Sequence, residues 1–312
     1  MKKIIALMLI TALLSSLFVG CTNKWQKKKQ TEITGSNNKQ LDSYESFVYD
    51  VANDGIINAK IEDFNSWDVY PFKKGNNENV KNKSYTYSNN TYVGSYEQSL
   101  MEVGFDYYTD QYYTDEGFLL SFRDDTQELV LINLMDKAFF DTEPYLDEVE
   151  DPVTTALQLA EETATKFVDD LNEYTRTMDE PNDSSREKDG KLYPFSYYKV
   201  NYTKKYQGFD TVDSIHVVVT SKGNVCAIIM GDINSFDTVK VTIDKDKLNE
   251  SVLKKAHSVY NNIYKIVSVS IDKQFLGFTS AGELCAISDV SYVLTDGKHE
   301  HYSALYIATV IS

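Results

Sequence analysis

Two serine–lysine pairs are the first candidates for nucleophilic catalysis. Ser196 with Lys199, and Ser251 with Lys254, have the Ser-x-x-Lys spacing that can place a lysine amine beside a serine hydroxyl. The second pair falls in a predicted helix, where residues three apart share a face. No Lys-Thr-Gly or Ser-x-Asn motif of the expected kind follows it, and the chain has no Gly-x-Ser-x-Gly. The sequence therefore predicts no catalytic residue.

Metal binding is the second chemistry to weigh. His299 and His301 flank Glu300, so their imidazoles would lie on one side of a strand, near Asp296. Four histidines in the whole chain leave few to complete a zinc site. The candidate calcium ligands are Asp106, Asp110, Asp115 and Glu116, beside Gly117. They lack the EF-hand spacing, which favours a solvated acidic loop, and we predict no metal and no cofactor.

A tyrosine-rich segment has the most unusual composition in the chain, because Tyr-Tyr-Thr-Asp occurs twice between residues 107 and 115. The candidate binding residues are Tyr107, Tyr108, Tyr112 and Tyr113. On an exposed loop, alternating aromatic and acidic side chains would stack on sugar rings or dock on a protein with a basic rim. The alternative is a half-buried strand edge whose tyrosine hydroxyls stay in water.

Two of the three cysteines, Cys226 and Cys285, follow the same local pattern in two segments of the chain. A disulfide between them is one interpretation, and it requires the two segments to pack strand to strand. We favour the other interpretation, in which each thiol is a small buried group in its own core, because a duplicated core position would carry the same residue anyway.

The N-terminal 21 residues predict where the chain resides. Two lysines precede an apolar run from Ile4 to Phe18, which is shorter than the roughly 20 residues that span a hydrocarbon core. Leu17-Phe18-Val19-Gly20-Cys21 resembles the lipobox of bacterial lipoprotein precursors, although Phe18 stands where leucine is usual. The resemblance implies cleavage before Cys21, a diacylglyceryl group on its thiol, and a mature chain lipid-anchored on the extracytoplasmic face of the cell membrane.

The charge balance limits the partners. The formal net charge is −16, and loss of Lys2 and Lys3 with the signal peptide lowers it to −18. Nucleic acid is excluded, because phosphate binding needs clustered cations. The one basic cluster, Lys24 to Lys29, follows Cys21 directly. Each lysine there would add roughly 1 kcal/mol of attraction to an anionic leaflet, or the cluster is only a solvated linker.

Composition, periodicity and the lipobox resemblance divide the chain into four predicted parts. They are a signal peptide (1–20), a lipidated Cys21 with a flexible tether (21–40), an N-terminal α+β domain (41–150) and a tandem α+β repeat domain (151–312). In the N-terminal domain, Leu41 to Val51 has helical spacing, and residues 84–94 and 118–134 indicate two hairpins. The domain boundary is placed in the acidic segment from Asp141 to Pro152.

Helix starts are the clearest signals in the second half. Asp151 can cap a helix that has Pro152 at its first position, carries an apolar stripe from Val153 to Leu171 and ends before Pro181. Asp244 or Asp246 begins a second helix. A polar loop is predicted at 182–190. The predicted strands are 193–206, 212–220 and 225–230, then 266–271, 275–279, 284–293 and 302–311.

Residues 220–228 and 279–287 agree at Thr, Ser, Gly, Cys, Ala and Ile. We interpret them as parts of a tandem repeat, in units of about 151–243 and 244–312, each a helix followed by an antiparallel meander. The predicted fold class is therefore α+β, with a smaller strand-rich α+β domain in front. Gly223 and Gly282 would supply the turns.

The order of elements in residues 152–311, with a tyrosine-rich first strand and glycines 208 and 223 in the first two hairpins, is similar to PepSY and cystatin-like extracytoplasmic modules. That resemblance implies protein or peptide binding, either inhibiting peptidases or tuning a membrane-bound sensor. It transfers no catalytic residue.

Three functions follow from the sequence. The first is a non-enzymatic lipoprotein that binds a protein or peptide at the cell envelope and, in one form, regulates a membrane-embedded partner. The second is a lipoprotein that binds cell wall or carbohydrate through the tyrosines. The third is an acid/base hydrolase whose carboxylate pair is hidden among 47 acidic residues.

Overall fold

A computed structural model of the protein describes residues 44–50, 82–87, 89–101, 104–260, 264–279 and 282–311. Strands make up 53% of the structure and helices only 18%. Fourteen strands of the described residues join in one mixed sheet, and three α-helices accompany it. The predicted α+β fold of tandem helix-plus-meander units is therefore wrong. Its error comes from segments assigned to helix or loop that pair as strands with distant parts of the chain.

The strands are β1 (Glu45–Asp50), β2 (Asn82–Tyr87), β3 (Asn90–Met101), β4 (Tyr108–Thr114), β5 (Leu119–Arg123), β6 (Leu129–Asn133), β7 (Tyr174–Met178), β8 (Asn182–Lys188), β9 (Lys191–Tyr206), β10 (Phe209–Thr220), β11 (Val225–Met230), β12 (Lys265–Phe278), β13 (Leu284–Thr295) and β14 (Glu300–Val310). The helices are α1 (Lys137–Thr142), α2 (Pro152–Ala164) and α3 (Lys245–Val259), with short 3-10 helices at Glu143–Tyr145 and Leu171–Glu173.

Strand β10 joins the two halves of the sheet. One of its edges pairs with β9, and the other pairs with β11 from Ile215 to Val219 and with β12 only at Asp210 and Thr211. The β10–β12 contact is the only parallel pairing among the described strands. Beyond β11 the order is β6-β5-β4-β3-β2, and beyond β12 it is β13-β14-β1. Strands from both sides of the predicted boundary at 141–152 thus share one sheet, and the domain division stays a prediction.

Each half of the sheet has its own hydrophobic core. Helix α2 covers β9 and β10 with small residues, Ala156 and Ala160, which allow close approach to Val217 and its neighbours. Helix α3 buries Leu248 and Val252 against the half that contains β12, β13 and β14. Strand β10 contributes to both cores.

Elements that depend on local signals are where the sequence places them. Asp151 caps α2 by accepting the Thr154 N–H at 3.1 Å, and Pro152 is the first helical residue. Asp244 caps α3 by accepting the Lys247 N–H at 3.1 Å. The hairpins β2–β3 and β5–β6 confirm those predicted at 84–94 and 118–134. Caps and tight turns are fixed by a few neighbouring residues, so their sequence signals hold.

Three local predictions are wrong. The predicted helix at 41–51 contains strand β1, which pairs with the edge of β14. Helix α2 ends at Ala164 instead of continuing toward Pro181: Leu171, the last residue of the predicted stripe, lies in a 3-10 helix, and Tyr174–Met178 form β7, which pairs with β9. The polar loop predicted at 182–190 contains β8, an edge strand with almost every residue exposed. A strand exposed on both faces carries no alternating apolar pattern, so periodicity cannot reveal it.

The similarity of 220–228 to 279–287 is local. In the turns at 220–224 and 279–283, the Thr N–H donates to the carbonyl four residues later (2.9 and 2.8 Å). The Gly N–H donates back to the Thr carbonyl (3.0 and 2.8 Å). Gly223 and Gly282 have φ of +80° and +78°, the left-handed region that glycine tolerates. The equivalence covers the antiparallel hairpins β10–β11 and β12–β13 and ends at their next neighbours, since β11 pairs with β6 whereas β13 pairs with β14.

Two glycines permit close backbone contact at the seam between the halves. A Cβ on Gly231 would lie 2.0 Å from the Val212 carbonyl oxygen and 2.4 Å from the Ser214 nitrogen. A Cβ on Gly277 would lie 2.6 Å from the carbonyl oxygen of Gly104. These distances are shorter than any Cβ can tolerate. Glycine is therefore required at position 231, after the end of β11, and at position 277 in β12.

Candidate functional site

An open cleft of about 220 Å³ lies where α1 faces the start of β11. Its apolar lining comes from Phe118, Leu134, Phe139, Val225 and Cys226. The volume is below that of a typical small-molecule pocket, about 300–1,000 Å³. The cleft therefore suits part of a larger ligand, such as one apolar side chain, better than a complete small molecule.

Hydrogen bonds hold the cleft walls in place. Asp136 caps α1 by accepting the Phe139 N–H at 2.8 Å, which fixes Phe139 in the first turn of the helix. The Leu134 N–H donates to the Cys226 carbonyl at 2.9 Å. This bond joins the segment before α1 to strand β11. The positive φ of Gly117, +96°, turns the chain just before Phe118.

Glu143 supplies the polar corner of the cleft. Its buried carboxylate accepts from Asn224 Nδ2 at 3.0 and 3.2 Å and from the Thr220 hydroxyl. These bonds attach the 3-10 helix after α1 to the β10–β11 turn. Burial and the nearby Glu143 charge raise the pKa of the Cys226 thiol, which keeps it protonated and unreactive.

An aromatic surface extends from the cleft along the β2–β3 hairpin. The half-buried Tyr92 contacts Phe118 edge to face, with ring centroids 5.5 Å apart. Tyr85 meets Phe122 at 6.0 Å in the same geometry. Such edge-to-face pairs are worth about 0.5–1.5 kcal/mol beyond their area burial. Both tyrosines stay half-buried, and the exposed part of the Tyr92 ring lies beside Phe118 of the cleft.

The tyrosines selected from the sequence lie elsewhere. Strand β4 is paired on both sides, with β3 and β5. Tyr107 and Tyr112 are only 3% and 0% exposed, and Tyr108 and Tyr113 are half-buried. Of the two alternatives, the exposed loop is therefore wrong, and the strand is confirmed, although it lies inside the sheet rather than at an edge and the hydroxyls of Tyr108 and Tyr112 are buried. The binding role of these four residues stays a prediction, and their burial does not support it.

The predicted histidine cluster forms a turn. His299 Nδ1 and His301 Nε2 lie 3.7 and 3.6 Å from Asp296 Oδ2. Backbone N–H bonds from His299 and Lys298 lower the pKa of Asp296 to about 2. Within the described residues no three His, Cys, Asp or Glu side chains form a group that could hold a metal ion.

The calcium candidates are dispersed. Asp110 is buried in β4 and accepts the Ser99 hydroxyl at 2.6 Å, whereas Asp106, Asp115 and Glu116 are exposed on either side of the strand. Carboxylates on opposite ends of one strand cannot surround an ion.

Neither Ser-x-x-Lys pair forms a serine–lysine contact. The Ser196 hydroxyl donates to Asp183 at 2.7 Å, while Lys199 pairs with Asp179 at 3.5 Å. The Ser251 hydroxyl donates to the Tyr44 carbonyl at 2.9 Å, and Lys254 is exposed. An amine held away from the hydroxyl cannot act as its base.

Cys226 and Cys285 are both free and buried, each in a different core. The interpretation that they are unbridged is confirmed.

Two buried carboxylates with raised pKa values lie at the seam of the sheet, away from the cleft lining. Asp213 is 0% exposed and accepts the Tyr174 hydroxyl at 2.6 Å, and burial raises its pKa to about 6. Asp232 is paired with Arg123 at 2.9 Å, and burial raises its pKa to about 7. Because both are closed off from solvent, they give no support to the predicted hydrolase.

We expect Asp213→Asn to change how stability depends on pH. The folded state holds the Asp213 proton more tightly than the unfolded chain, so its contribution is complete below pH 4 and is lost as pH rises through 6. Between pH 4 and 7 the wild type should lose about 3 kcal/mol relative to the variant. Urea unfolding at several pH values measures this, with the exposed Glu250→Gln as control. Parallel pH profiles for Asp213→Asn and wild type would contradict it.

Cys21 and the tether to residue 40 lie outside the described residues. No helix among the described residues is long and apolar enough to cross a membrane.

Comparison with known proteins gives no match to any family model, curated protein or solved structure. The lipobox and PepSY-like resemblances therefore stay predictions.

The cleft itself was not selected from the sequence. Its residues come from three distant segments, around Phe118, between Leu134 and Glu143, and at the start of β11. One signal was available, since adjacent Phe139 and Phe140 precede an acidic, proline-containing segment.

Proposed function

We propose that the protein is a lipid-anchored, extracytoplasmic, non-enzymatic module that binds a protein or peptide partner through the cleft beside α1. The anchor is the acylated Cys21 implied by the lipobox, and residues 21–40 give the folded part room to reach its partner. The observation that carries the proposal is the open cleft lined by Phe118, Leu134, Phe139 and Val225.

A protein or peptide partner fits this cleft better than a glycan. Sugar hydroxyls need hydrogen-bonding groups, and leaving them unpaired in an apolar pocket is unfavourable. The polar side chains of the lining, Glu143 and Asn224, are already bonded to each other. One apolar side chain inserted in a pocket and surrounded by weaker contacts is the usual arrangement of a protein-binding hot spot. The half-buried Tyr92 would form part of that surround.

Site-specific photocrosslinking on intact cells tests the proposal. A photoreactive amino acid at Val225, in the cleft, should give a discrete adduct with an envelope protein. The same group at Val267, which is 53% exposed on β12, should not. Leu134→Arg places a charge in the cleft and should abolish the Val225 adduct. Equal adducts at both positions, or an adduct that survives Leu134→Arg in a variant with wild-type circular dichroism, would refute the assignment of the cleft.

The same cells test the anchor. An alkyne-tagged fatty acid should label the wild type and the Cys285→Ser variant but not Cys21→Ser, because only Cys21 carries the acyl group. Cys21→Ser should also appear in the culture fluid and give fewer Val225 adducts. Persistent labelling of Cys21→Ser would show that the lipid is elsewhere.

A further inference from the structure

We propose that the segment bound by the cleft is basic, with lysine or arginine on both sides of its apolar anchor. This inference rests on the proposed function, and it adds the chemistry of the partner.

One edge is an acidic segment attached to the cleft wall. Between residues 138 and 165 there is no Lys, Arg or His. The Glu148 carboxylate accepts the Ser221 hydroxyl at 3.0 Å, and the Val149 N–H donates to the Ser221 carbonyl at 3.2 Å. Since the same β10–β11 turn supplies Asn224 to the cleft, the segment runs beside the cleft mouth.

Part of that charge is not neutralised. Lys222 pairs with Glu148 at 3.6 Å, and Lys137 pairs with Asp141. Asp147 and Glu150, in contrast, are exposed and have no hydrogen bond or ion pair with any described residue. They are therefore available to cations of a bound partner.

The turn before Phe118, on the other side of β6 from Val225, carries two further carboxylates. Asp115 and Glu116 are exposed in the β4–β5 turn that leads into Phe118. A hydrogen bond from the Thr114 hydroxyl lowers the pKa of Glu116, so it is ionised at neutral pH. The apolar cleft thus has carboxylates on two sides, and a chain crossing it would meet negative charge before and after the anchor.

The cations nearby offset only part of this charge. Arg186 and Lys188 of the β8–β9 hairpin lie over the rings of Phe140 and Tyr145, at 4.6 and 4.5 Å. Charge on the rim selects partners and speeds association, whereas the buried anchor supplies most of the affinity. Because the Debye length is about 8 Å at physiological salt, the preference must weaken as salt increases.

Three capped pentapeptides test the inference. Each has a central phenylalanine flanked on both sides by two lysines, two serines or two glutamates. Binding to the full ¹⁵N-labelled chain is followed through the amide signals of Phe118, Phe139 and Val225. At low salt we expect the lysine peptide to bind about tenfold more tightly than the serine peptide, with the glutamate peptide weakest. At 0.5 M salt the three affinities should converge.

Charge-neutral variants locate the effect. Asp147→Asn with Glu150→Gln should reduce the lysine preference about threefold and leave the serine peptide unchanged. The matched control, Asp246→Asn with Glu250→Gln on α3, removes the same charge from the other half of the sheet and should change nothing. Equal reductions in both double variants would attribute the preference to overall net charge and overturn the assignment to the rim.

The outcomes separate the two proposals. If all three peptides shift the cleft signals with equal affinity, the basic partner is wrong and the cleft remains a binding site. If none of them shifts these signals, the cleft assignment and the inference built on it both fail.

Discussion

Replacement of Gly231 by alanine is expected to unfold the protein under conditions where the wild type is stable. The new Cβ would lie 2.0 Å from the Val212 oxygen, and 2.4 and 2.7 Å from the Ser214 nitrogen and oxygen. All of these are backbone atoms, so no side-chain rotation can relieve the overlap. The Gly231 N–H also donates to the Ser214 carbonyl, and the Asp232 N–H donates to the Val212 carbonyl. These bonds hold the end of β11 against β10.

Relief would require moving β10, which belongs to both cores, and we expect a loss of about 4–5 kcal/mol or more. That is between about a third and all of the stability of an ordinary domain, about 5–15 kcal/mol. Urea unfolding followed by circular dichroism measures it. Gly297→Ala is the control, because no atom lies within 4 Å of its Cβ position and only its φ of +90° is strained. A Gly231→Ala protein as stable as Gly297→Ala would show that the close contact is absent.

Arg123→Met should destabilise the fold by about 3–5 kcal/mol, because it leaves a buried carboxylate without its cation. Arg123 is 2% exposed and bonds Asp232 at 2.9 Å and Asp125 at 2.9 and 3.1 Å, and its guanidinium lies 3.6 Å from the Tyr107 ring centre. Methionine keeps the apolar bulk of the side chain and removes the charge. The loss therefore reports the ion pair more than a cavity.

The pH dependence of Arg123→Met has a definite sign. Without the cation, the pKa of Asp232 rises above its present value of about 7, so the folded variant holds a proton over a wider range. Its unfolding free energy should fall more steeply than that of the wild type between pH 5 and 8. Adding Asp232→Asn to Arg123→Met should restore part of the stability at pH 8.

An exposed ion pair provides the control. Arg176 and Glu161 are 46% and 58% exposed and 3.1 Å apart, so Arg176→Met should cost at most about 1 kcal/mol. Comparable losses for Arg123→Met and Arg176→Met would mean that the buried pair has no special importance.

The comparison of sequence and structure separates local from distant determinants. Asp151, Pro152 and Asp244 mark helix starts through contacts within a few residues, and these positions were predictable. Strand β1 was predicted as a helix, because the apolar spacing over eleven residues has the period of a helix. Pairing with the distant strand β14 decides the structure instead. Edge strand β8 had no apolar face to detect.

The candidate site was beyond sequence reasoning for a related reason. A tyrosine-rich strand has the same sequence pattern whether it lies inside a sheet or at its edge. Strand β4 lies inside, with β3 and β5 as partners. The cleft depends on three turns meeting, near Phe118, Phe139 and Val225. Contacts of that sequence separation follow from sheet order, which periodicity does not encode.

The shared strand β10 also governs how the molecule responds to heat. Phe209 and Val212 pack with α3, whereas Ile215 and Val217, a few residues later, pack with α2. Melting either half would strip one end of this strand of its packing and weaken the other. The two halves of the sheet should therefore lose their structure together, as one calorimetric event, although only two residue pairs of the described strands join their edges.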